Sequence, residues 1–260
     1  MSPVSFLRRA LALCAACLAI SSSAQISLSG TSYTEDFNSL SSGLPSGWSV
    51  YTSATSSSYG TSAAFTSAAT AWNSATAGTF FRNIASNDIA SNASTSTQSS
   101  DLNRALGWKP LTAASRDGGI VFELANTSGY GNFSLSVDLF TGNNAGTTNQ
   151  TYTLEYRIGS SGSFTSLGAY SSTTPLGSIT LTVDSTTLSS INNQSSSVAF
   201  RFRNASGASD STYDTLGIDN FSLNYSAIPE PSTYVAIAGV FALAGVAWKR
   251  RKQRGAAPLL

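Results

Sequence analysis

The sequence contains no histidine, and its two cysteines, Cys14 and Cys17, both lie near the N-terminus. Without histidine, Ser-His-Asp and Cys-His nucleophiles, histidine-based zinc sites and the commonest general base at neutral pH are excluded. Thiol catalysis and cysteine metal sites are excluded as well if the N-terminal segment is removed on export. The chemistry that remains is that of carboxylates.

Charged residues are scarce, at 10% of the chain against about 25% in an average soluble domain. Five of the fourteen basic residues lie in the last twelve positions, and Arg8 and Arg9 lie near the start. Residues 25–226 carry seven basic and twelve acidic residues, a net charge of −5. Nucleic acids bind mainly through phosphate neutralisation, so a nucleic-acid partner is not expected.

The first 24 residues have the order of a secretory signal peptide. A short basic start precedes an apolar run, Ala10 to Ile20, which is too short to span a bilayer. Small residues up to Ala24 then suit a cleavage site, so we predict a signal peptide over 1–24. Acylation of Cys17 is the alternative, although Cys14 stands where a lipobox requires leucine.

The last segment, 227–260, has three parts in a fixed order. Pro229, Glu230 and Pro231 hold the chain extended. An apolar run follows and then a basic cluster, which favours the cytoplasmic side of a membrane. The residues predicted to form the membrane anchor are Val235, Phe241, Trp248, Lys249, Arg250 and Arg251.

This order resembles the PEP-CTERM sorting signal of Gram-negative bacteria, near whose Pro-Glu-Pro motif an exosortase processes the chain. The resemblance implies an exosortase partner, a transient anchor in the inner membrane through a C-terminal transmembrane helix, and final localisation at the cell surface or in the extracellular matrix. A plain C-terminal anchor is the alternative. It explains the apolar run and the charges but does not require the prolines.

The body, 25–226, is predicted to be one all-β domain, an antiparallel β-sandwich. Phe133, Leu135, Val137 and Leu139 alternate with polar residues, the pattern of a half-buried strand. Similar short strands separated by Gly, Asn and Ser turns recur from residue 32 to residue 225, without a capped 3.6-residue apolar period. The stretch from 52 to 79 predicts either short edge strands or a long loop.

Three short pieces of the body, 103–107, 121–127 and 217–221, resemble a lectin-like jelly-roll domain of secreted bacterial proteins. The sequence departs from that pattern at residues 138–142. Such domains often hold Ca²⁺ where the first and last strands lie side by side. The resemblance therefore implies a calcium site at Glu35, Asp36 and Asp219, with local backbone capping as the alternative.

The two glutamates on predicted strands, Glu123 and Glu155, are expected on solvated strand faces. A glycosidase needs two carboxylates facing one another across the bond, so we predict that the protein is not an enzyme, and a carboxylate-dependent hydrolase is the weakest alternative. Arg201 and Arg203 are likewise expected to face out of their sheet, in solvated ion pairs with Asp210 and Asp214.

Carbohydrate binding would need exposed aromatic rings, and Trp48 and Trp108 are the candidates because each lies in or beside a predicted loop. The alternative is that both indoles pack in the core. The sequence therefore predicts an exported structural or adhesive protein of the exopolysaccharide layer. A carbohydrate-binding module is the alternative.

Overall fold

A computed structural model describes residues 24–72, 74, 80–110, 117–142, 151–171, 178–204, 215–229 and 231–254. The predicted signal peptide, except Ala24, lies outside these residues, as do Glu230 and the Asp210 and Asp214 of the predicted ion pairs. Thirteen strands and two α-helices follow in chain order. They are β1 (Ser32–Glu35), β2 (Trp48–Thr52), β3 (Thr61–Ser62), β4 (Phe65–Ala69), β5 (Phe81–Ala85), α1 (Thr95–Ser100), β6 (Arg104–Trp108), β7 (Gly119–Leu124), β8 (Tyr130–Thr141), β9 (Thr151–Ile158), β10 (Thr165–Ser171), β11 (Ser178–Val183), β12 (Val198–Asn204), β13 (Leu216–Ala227) and α2 (Pro231–Arg254).

The strands form two sheets, which confirms the predicted β-sandwich. Sheet A has six strands in the order β10-β9-β12-β7-β2-β3. Sheet B has seven, in the order β11-β8-β13-β6-β5-β4, with β1 also paired to β13. All pairings between these strands are antiparallel except β4 with β5, which are parallel.

The core lies between the two sheets and is rich in aromatic rings. The alternating apolar residues of β8 point into it, because successive side chains of a strand face opposite sides of the sheet. Trp48 occupies its centre, 4.9 Å from the ring of Phe37 and 5.1 Å from those of Phe122 and Phe221. A body of this size closes its core without disulfides because it buries enough apolar surface.

The Ser, Ala and Thr-rich stretch forms β3, β4 and a segment that carries Trp72 across the outer face of sheet B. The Trp72 indole is fully buried and donates from Nε1 to the carbonyl of Ala85, at 2.8 Å. The backbone N–H of Trp72 donates to Oε1 of Gln98 on α1, at 2.8 Å. The described residues of this stretch therefore adopt both predicted forms, because β3 and β4 are short edge strands and residues 53–60 form a loop.

Sequence patterning missed α1, a helix of six polar residues without an apolar face. Ser94 caps it by accepting from the N–H of Thr97. Such a helix has no 3.6-residue apolar period, so it gave no signal. Its stability comes from the cap and from Gln98, which is buried beneath Trp72.

Candidate functional site

The C-terminal segment leaves the sandwich directly after β13. The N–H of Ile228 donates to the carbonyl of Gly129, and Pro229 follows before α2. The apolar side chains of α2 are largely exposed, with Val235 at 71%, Phe241 at 73% and Trp248 at 70%. Lys249, Arg250 and Arg251 continue the helix and are exposed. No helix in the described part of the chain combines the length and the apolar character that crossing a membrane requires.

The first and last strands lie side by side, as predicted for the acidic cluster. Glu35 of β1 stands opposite Phe221 of β13. Upstream of that point β13 pairs with β6 instead, so Asp219 and Asn220 lie where the strand changes neighbours. The register with β8 also shifts here, and Asn220 has a φ of +49°, the left-handed conformation that a bulge can require. The sheet is therefore interrupted at Asp219.

Asp219 is buried, with 1% of its surface exposed. Its Oδ2 accepts from the Ser86 hydroxyl at 2.5 Å, and its Oδ1 accepts from the N–H of Asn220 at 2.7 Å. Burial, with smaller contributions from the charges of Asp138 and Asp36, raises the pKa of Asp219 to about 6. Its carboxyl group therefore holds the β13 bulge to the connection after β5.

The other two predicted calcium ligands are engaged in local turns. Oε1 of Glu35 accepts from the N–H of Phe37, and Oδ1 of Asp36 accepts from the N–H of Asn38. Burial raises the pKa of Glu35. Within the described ranges, no group of three or more acidic side chains is arranged to hold a metal ion. The calcium site stays a prediction.

A cleft of about 490 Å³ opens where β1 and β13 meet. It is lined by Thr34, Glu35, Asp36, Asn220, Phe221 and Ser222. A second cleft, of about 330 Å³, lies at the β4 edge. Its lining includes Ser67, Asn83, Asp101, Arg104 and Leu102, whose side chain is 86% exposed.

Asn38 connects the two clefts. Its N–H donates to Asp36, which lines the first cleft. Its side-chain oxygen accepts from the N–H of Arg104, which lines the second, at 2.7 Å. The Arg104 guanidinium is in turn fixed by Asn83 and by the carbonyl of Gln98. These hydrogen bonds link residues that line the two clefts.

Trp48 does not present a ring to a ligand. The side chain is 2% exposed, and Nε1 donates to the Tyr33 hydroxyl at 3.0 Å. Phenylalanine rings surround the indole, so neither face is open to a sugar. The prediction of an exposed ring was wrong, because the sequence placed Trp48 in a loop whereas it begins β2.

Trp108 is also a core residue, with 2% of its surface exposed. It stacks on Phe81 and meets Tyr152 edge-on. Gly118 lets the backbone approach the indole, since a Cβ there would lie 2.3 Å from Cε2 of Trp108. The prediction of an exposed ring was wrong here too, and core packing, the alternative, is what the structure has.

The outer face of sheet A carries a buried ionic cluster, formed by Glu155, Arg157, Arg201 and Arg203. Glu155 and Arg201 stand opposite one another on β9 and β12, and Nη2 of Arg201 lies 2.5 Å from Oε2 of Glu155. Nη2 of Arg203 lies 3.3 Å from Oε1 of the same carboxylate. The expectation of solvated faces was wrong for Glu155 and Arg201, which are 6% and 0% exposed.

A loop covers this cluster. The carbonyls of Ser57 and Ser58 accept from Arg157 and Arg201, each at 2.7 Å. The Arg201 guanidinium also lies 3.6 Å from the ring centroid of Phe164. Alternation had correctly placed Arg201 and Arg203 on the outer face of their sheet. Nothing in the sequence indicated that residues 53–60 fold over that face.

A family model described as the PEP-CTERM protein-sorting motif matches residues 227–252. The chain therefore carries this sorting motif at its C-terminus, which confirms the predicted resemblance. The motif implies export, processing by an exosortase and sorting to the cell surface. No curated protein matches the sequence.

Several solved structures are similar to the sandwich. A xylan-binding module, CBM15, is 11% identical, with 77% of this chain and 100% of that one covered at a TM-score of 0.43. The K3 cleaved adhesin domain of Lys-gingipain from Porphyromonas gingivalis W83 is 14% identical, covering 74% and 98% at a TM-score of 0.40. The CBM22-1 xylan-binding domain of Xyn10C from Paenibacillus barcinonensis is 12% identical, covering 76% and 95% at a TM-score of 0.39. At these TM-scores the similarities say nothing about what this chain binds.

Proposed function

We propose that the protein is a non-enzymatic structural or adhesive component of the extracellular polysaccharide layer, delivered there through its PEP-CTERM signal. The observation that carries the proposal is a sorting motif at 227–252, placed directly after the last strand of a β-sandwich. In this account α2 holds the chain at the inner membrane until an exosortase acts near Pro229. The sandwich is the part that reaches the surface.

The state of the carboxylates supports a non-enzymatic role. Glu155 is bound by two arginines beneath a loop, so it is not available to attack or protonate a substrate. Oε1 of Glu123 accepts from the side chain of Gln25, at 2.8 Å. A glycosidase requires one carboxyl group that donates a proton and a second that acts as base or nucleophile. Because Glu155 is held in ion pairs with Arg201 and Arg203, Glu123 and Glu155 do not provide those two roles.

The surface chemistry of the body suits a matrix component. Ser, Thr, Asn and Gly replace charges over much of the chain, so the outer face offers hydroxyls and amides to water and to neutral polysaccharide. Interactions of this kind are weak singly and add up over many contacts. Adhesion through repeated weak contacts is therefore favoured over a single tight site.

The proposal is tested by fractionating cells that produce the full chain. We expect the protein in the extracellular polysaccharide fraction, and we expect it to be lost from there when residues 229–231 are all replaced by alanine. A protein that stays in the cell envelope in both cases would contradict the proposal. A matched control replaces exposed serines of β10, which should leave the distribution unchanged.

Carbohydrate binding at a defined site is the second candidate, and the observation that favours it is the pair of clefts joined by Asn38. Hydroxyl, amide and carboxylate groups line them, and these are the groups that bond sugar hydroxyls. The exposed Leu102 adds an apolar contact at the second cleft.

Thermal melts against a panel of polysaccharides distinguish the two candidates. A ligand that binds only the folded state raises the melting temperature. Such a rise, removed by Leu102→Arg or Ser222→Arg but not by Ser166→Arg on β10, would establish a binding module. Melts that no polysaccharide shifts would leave the structural role in place.

A further inference from the structure

The strands at the margins of the two sheets differ in how well they are protected from pairing with another strand. An edge strand presents unpaired N–H and C=O groups, and proteins protect such edges by shortening, bending or covering them. Two of the marginal strands here are short: β1 has four residues and β3 has two. Short strands offer too few hydrogen bonds to hold a partner.

Two further edges are irregular. The register of β10 shifts between Ser166 and Gly168, and that of β4 shifts between Thr66 and Ala69. Within the shifted part of β4, the carbonyl of Ser67 accepts from the Asn83 side chain at 2.9 Å. A bulge bends a strand and breaks the regular spacing of its hydrogen-bonding groups. Neither edge can therefore extend its sheet without distortion.

The β11 edge has none of these protections. All six residues, Ser178 to Val183, pair with β8 in one unbroken register. The strand contains no charge, proline or glycine, and four of its residues are exposed. Ile179, which faces the core side opposite Leu139, is 37% exposed. Among the described residues, none forms a backbone hydrogen bond to the side of β11 that faces away from β8.

We propose that β11 pairs antiparallel with β11 of a second copy of this chain, joining two seven-stranded sheets into one. The strand is self-complementary: its outer face carries only Ser and Thr, and its inner face only Ile, Leu and Val. Pairing with its own copy therefore puts hydroxyl side chains beside hydroxyl side chains and apolar residues beside apolar residues. It also covers Ile179.

Charge favours a second copy at this edge and sets the direction of the pairing. The body carries a net charge of −5, so two copies repel one another over most of their surfaces, but β11 brings no charge to the contact. The acid nearest the strand along the chain is Asp184, directly after it, whereas Asp138 of β8, which accepts from the Thr180 hydroxyl, lies one strand further from the contact. Parallel pairing would place the two Asp184 side chains together. Antiparallel pairing in which Thr180 lies opposite Thr180 of the second copy separates them by eight residues along the strand, about 27 Å at 3.4 Å per residue.

This assembly goes beyond the proposed function, because it rests on the sandwich alone and not on the sorting signal. A two-fold contact of this kind is closed, so it produces dimers and not filaments. For an adhesive protein, a dimer doubles the number of contacts that one particle makes.

The test compares the full chain in detergent with two lysine variants by sedimentation velocity. Thr180→Lys puts like charges opposite one another at the centre of the paired strands and removes the hydrogen bond that the Thr180 hydroxyl donates to Asp138. Like charges across a strand pair are destabilising, so we expect dimerisation weakened by up to about fivefold. Ser62→Lys on β3, at the edge of sheet A opposite to β10, adds the same charge at an exposed position elsewhere and should leave dimerisation unchanged. Equal melting temperatures would show that both variants fold.

Cysteine cross-linking locates the contact independently. In a chain with Cys14 and Cys17 replaced by serine, Thr180→Cys should form a disulfide-linked dimer, because paired strands bring their Cα atoms within disulfide range. Ser62→Cys on β3 should not. A monomeric wild-type chain, or association that survives Thr180→Lys and cross-links equally at both positions, would overturn the proposal and assign any contact to α2 or another surface.

Discussion

The hydroxyl of Ser86 donates a 2.5 Å hydrogen bond to Oδ2 of Asp219, across 133 residues of sequence. This bond lies where β13 stops pairing with β6 and begins to pair with β1. Ser86 is itself buried, and its N–H donates to the carbonyl of Asn103. A carboxyl group thus completes the hydrogen bonding of a bulge that backbone groups alone leave open.

Asp219 makes the stability of the sandwich depend on pH. Its pKa is about 6 in the folded state, against 3.8 when unperturbed, so the folded state binds the proton more tightly. Unfolding free energy therefore falls as pH rises from about 4 to 6, by up to about 3 kcal/mol from this group. Asp219→Asn should remove that dependence, measured by urea unfolding at several pH values.

The control for this prediction is Asp184→Asn. Asp184 is exposed, and its hydrogen bonds with Thr187 lower its pKa, so its replacement should not remove the fall between pH 4 and 6. An unchanged pH dependence in Asp219→Asn would show that the buried carboxyl group is not its source.

Replacing one partner of the buried ion pair should lower the unfolding free energy more than replacing both partners with apolar residues. Glu155→Gln leaves the buried Arg201 guanidinium without its counter-charge, so we expect a loss of about 3–5 kcal/mol in unfolding free energy. The double variant Glu155→Leu with Arg201→Met should lose less than the two single changes added together. Urea unfolding of the wild type, Glu155→Leu, Arg201→Met and the double variant measures this coupling, and strictly additive losses would contradict it.

The two core indoles should contribute to stability and not to sugar recognition. Trp48→Ala and Trp108→Ala each empty a large buried site, and we expect each to cost about 3–5 kcal/mol in unfolding free energy. Trp248→Ala on α2 removes an exposed ring and should leave the melting temperature of the sandwich unchanged. Near-wild-type stability in either core variant would contradict the buried placement.

Calcium binding at Glu35, Asp36 and Asp219 is decided by melting the protein in Ca²⁺ and in EDTA. If the ion binds the folded state, Ca²⁺ raises the melting temperature, and Asp36→Asn reduces that rise. Asp138→Asn changes a neighbouring carboxylate outside the predicted set and serves as the control. Identical melts in Ca²⁺ and EDTA would remove the site.

Alternation along single strands predicted β7, β8, β12 and β13, because each has a buried face and a polar face or lies wholly in the core. The placement of β1 beside β13 came from the jelly-roll resemblance and not from alternation, and the pairing of Glu35 with Phe221 confirms it. The elements that alternation did not predict are those that depend on tertiary contacts. β10 and α1 have no regular apolar period, and the sequence around Trp48 reads as a turn.

The candidate sites show the same division. The PEP-CTERM motif could be recognised from the sequence because it is defined by the order of its parts along the chain. The match at 227–252 confirms it. The exposure of a side chain is not encoded locally. Arg201 and Trp72 are buried because segments distant in sequence cross the outer faces of the sheets, and a period-two pattern carries no information about such cover.

The most direct test of the account is the intact mass of the protein recovered from the cell surface. Cells with an exosortase should yield a chain that ends near Pro229 and lacks α2 and the basic cluster, and cells without the exosortase should retain the full C-terminus. A surface protein that still carries residues 231–254 in cells with the exosortase would contradict sorting by this signal.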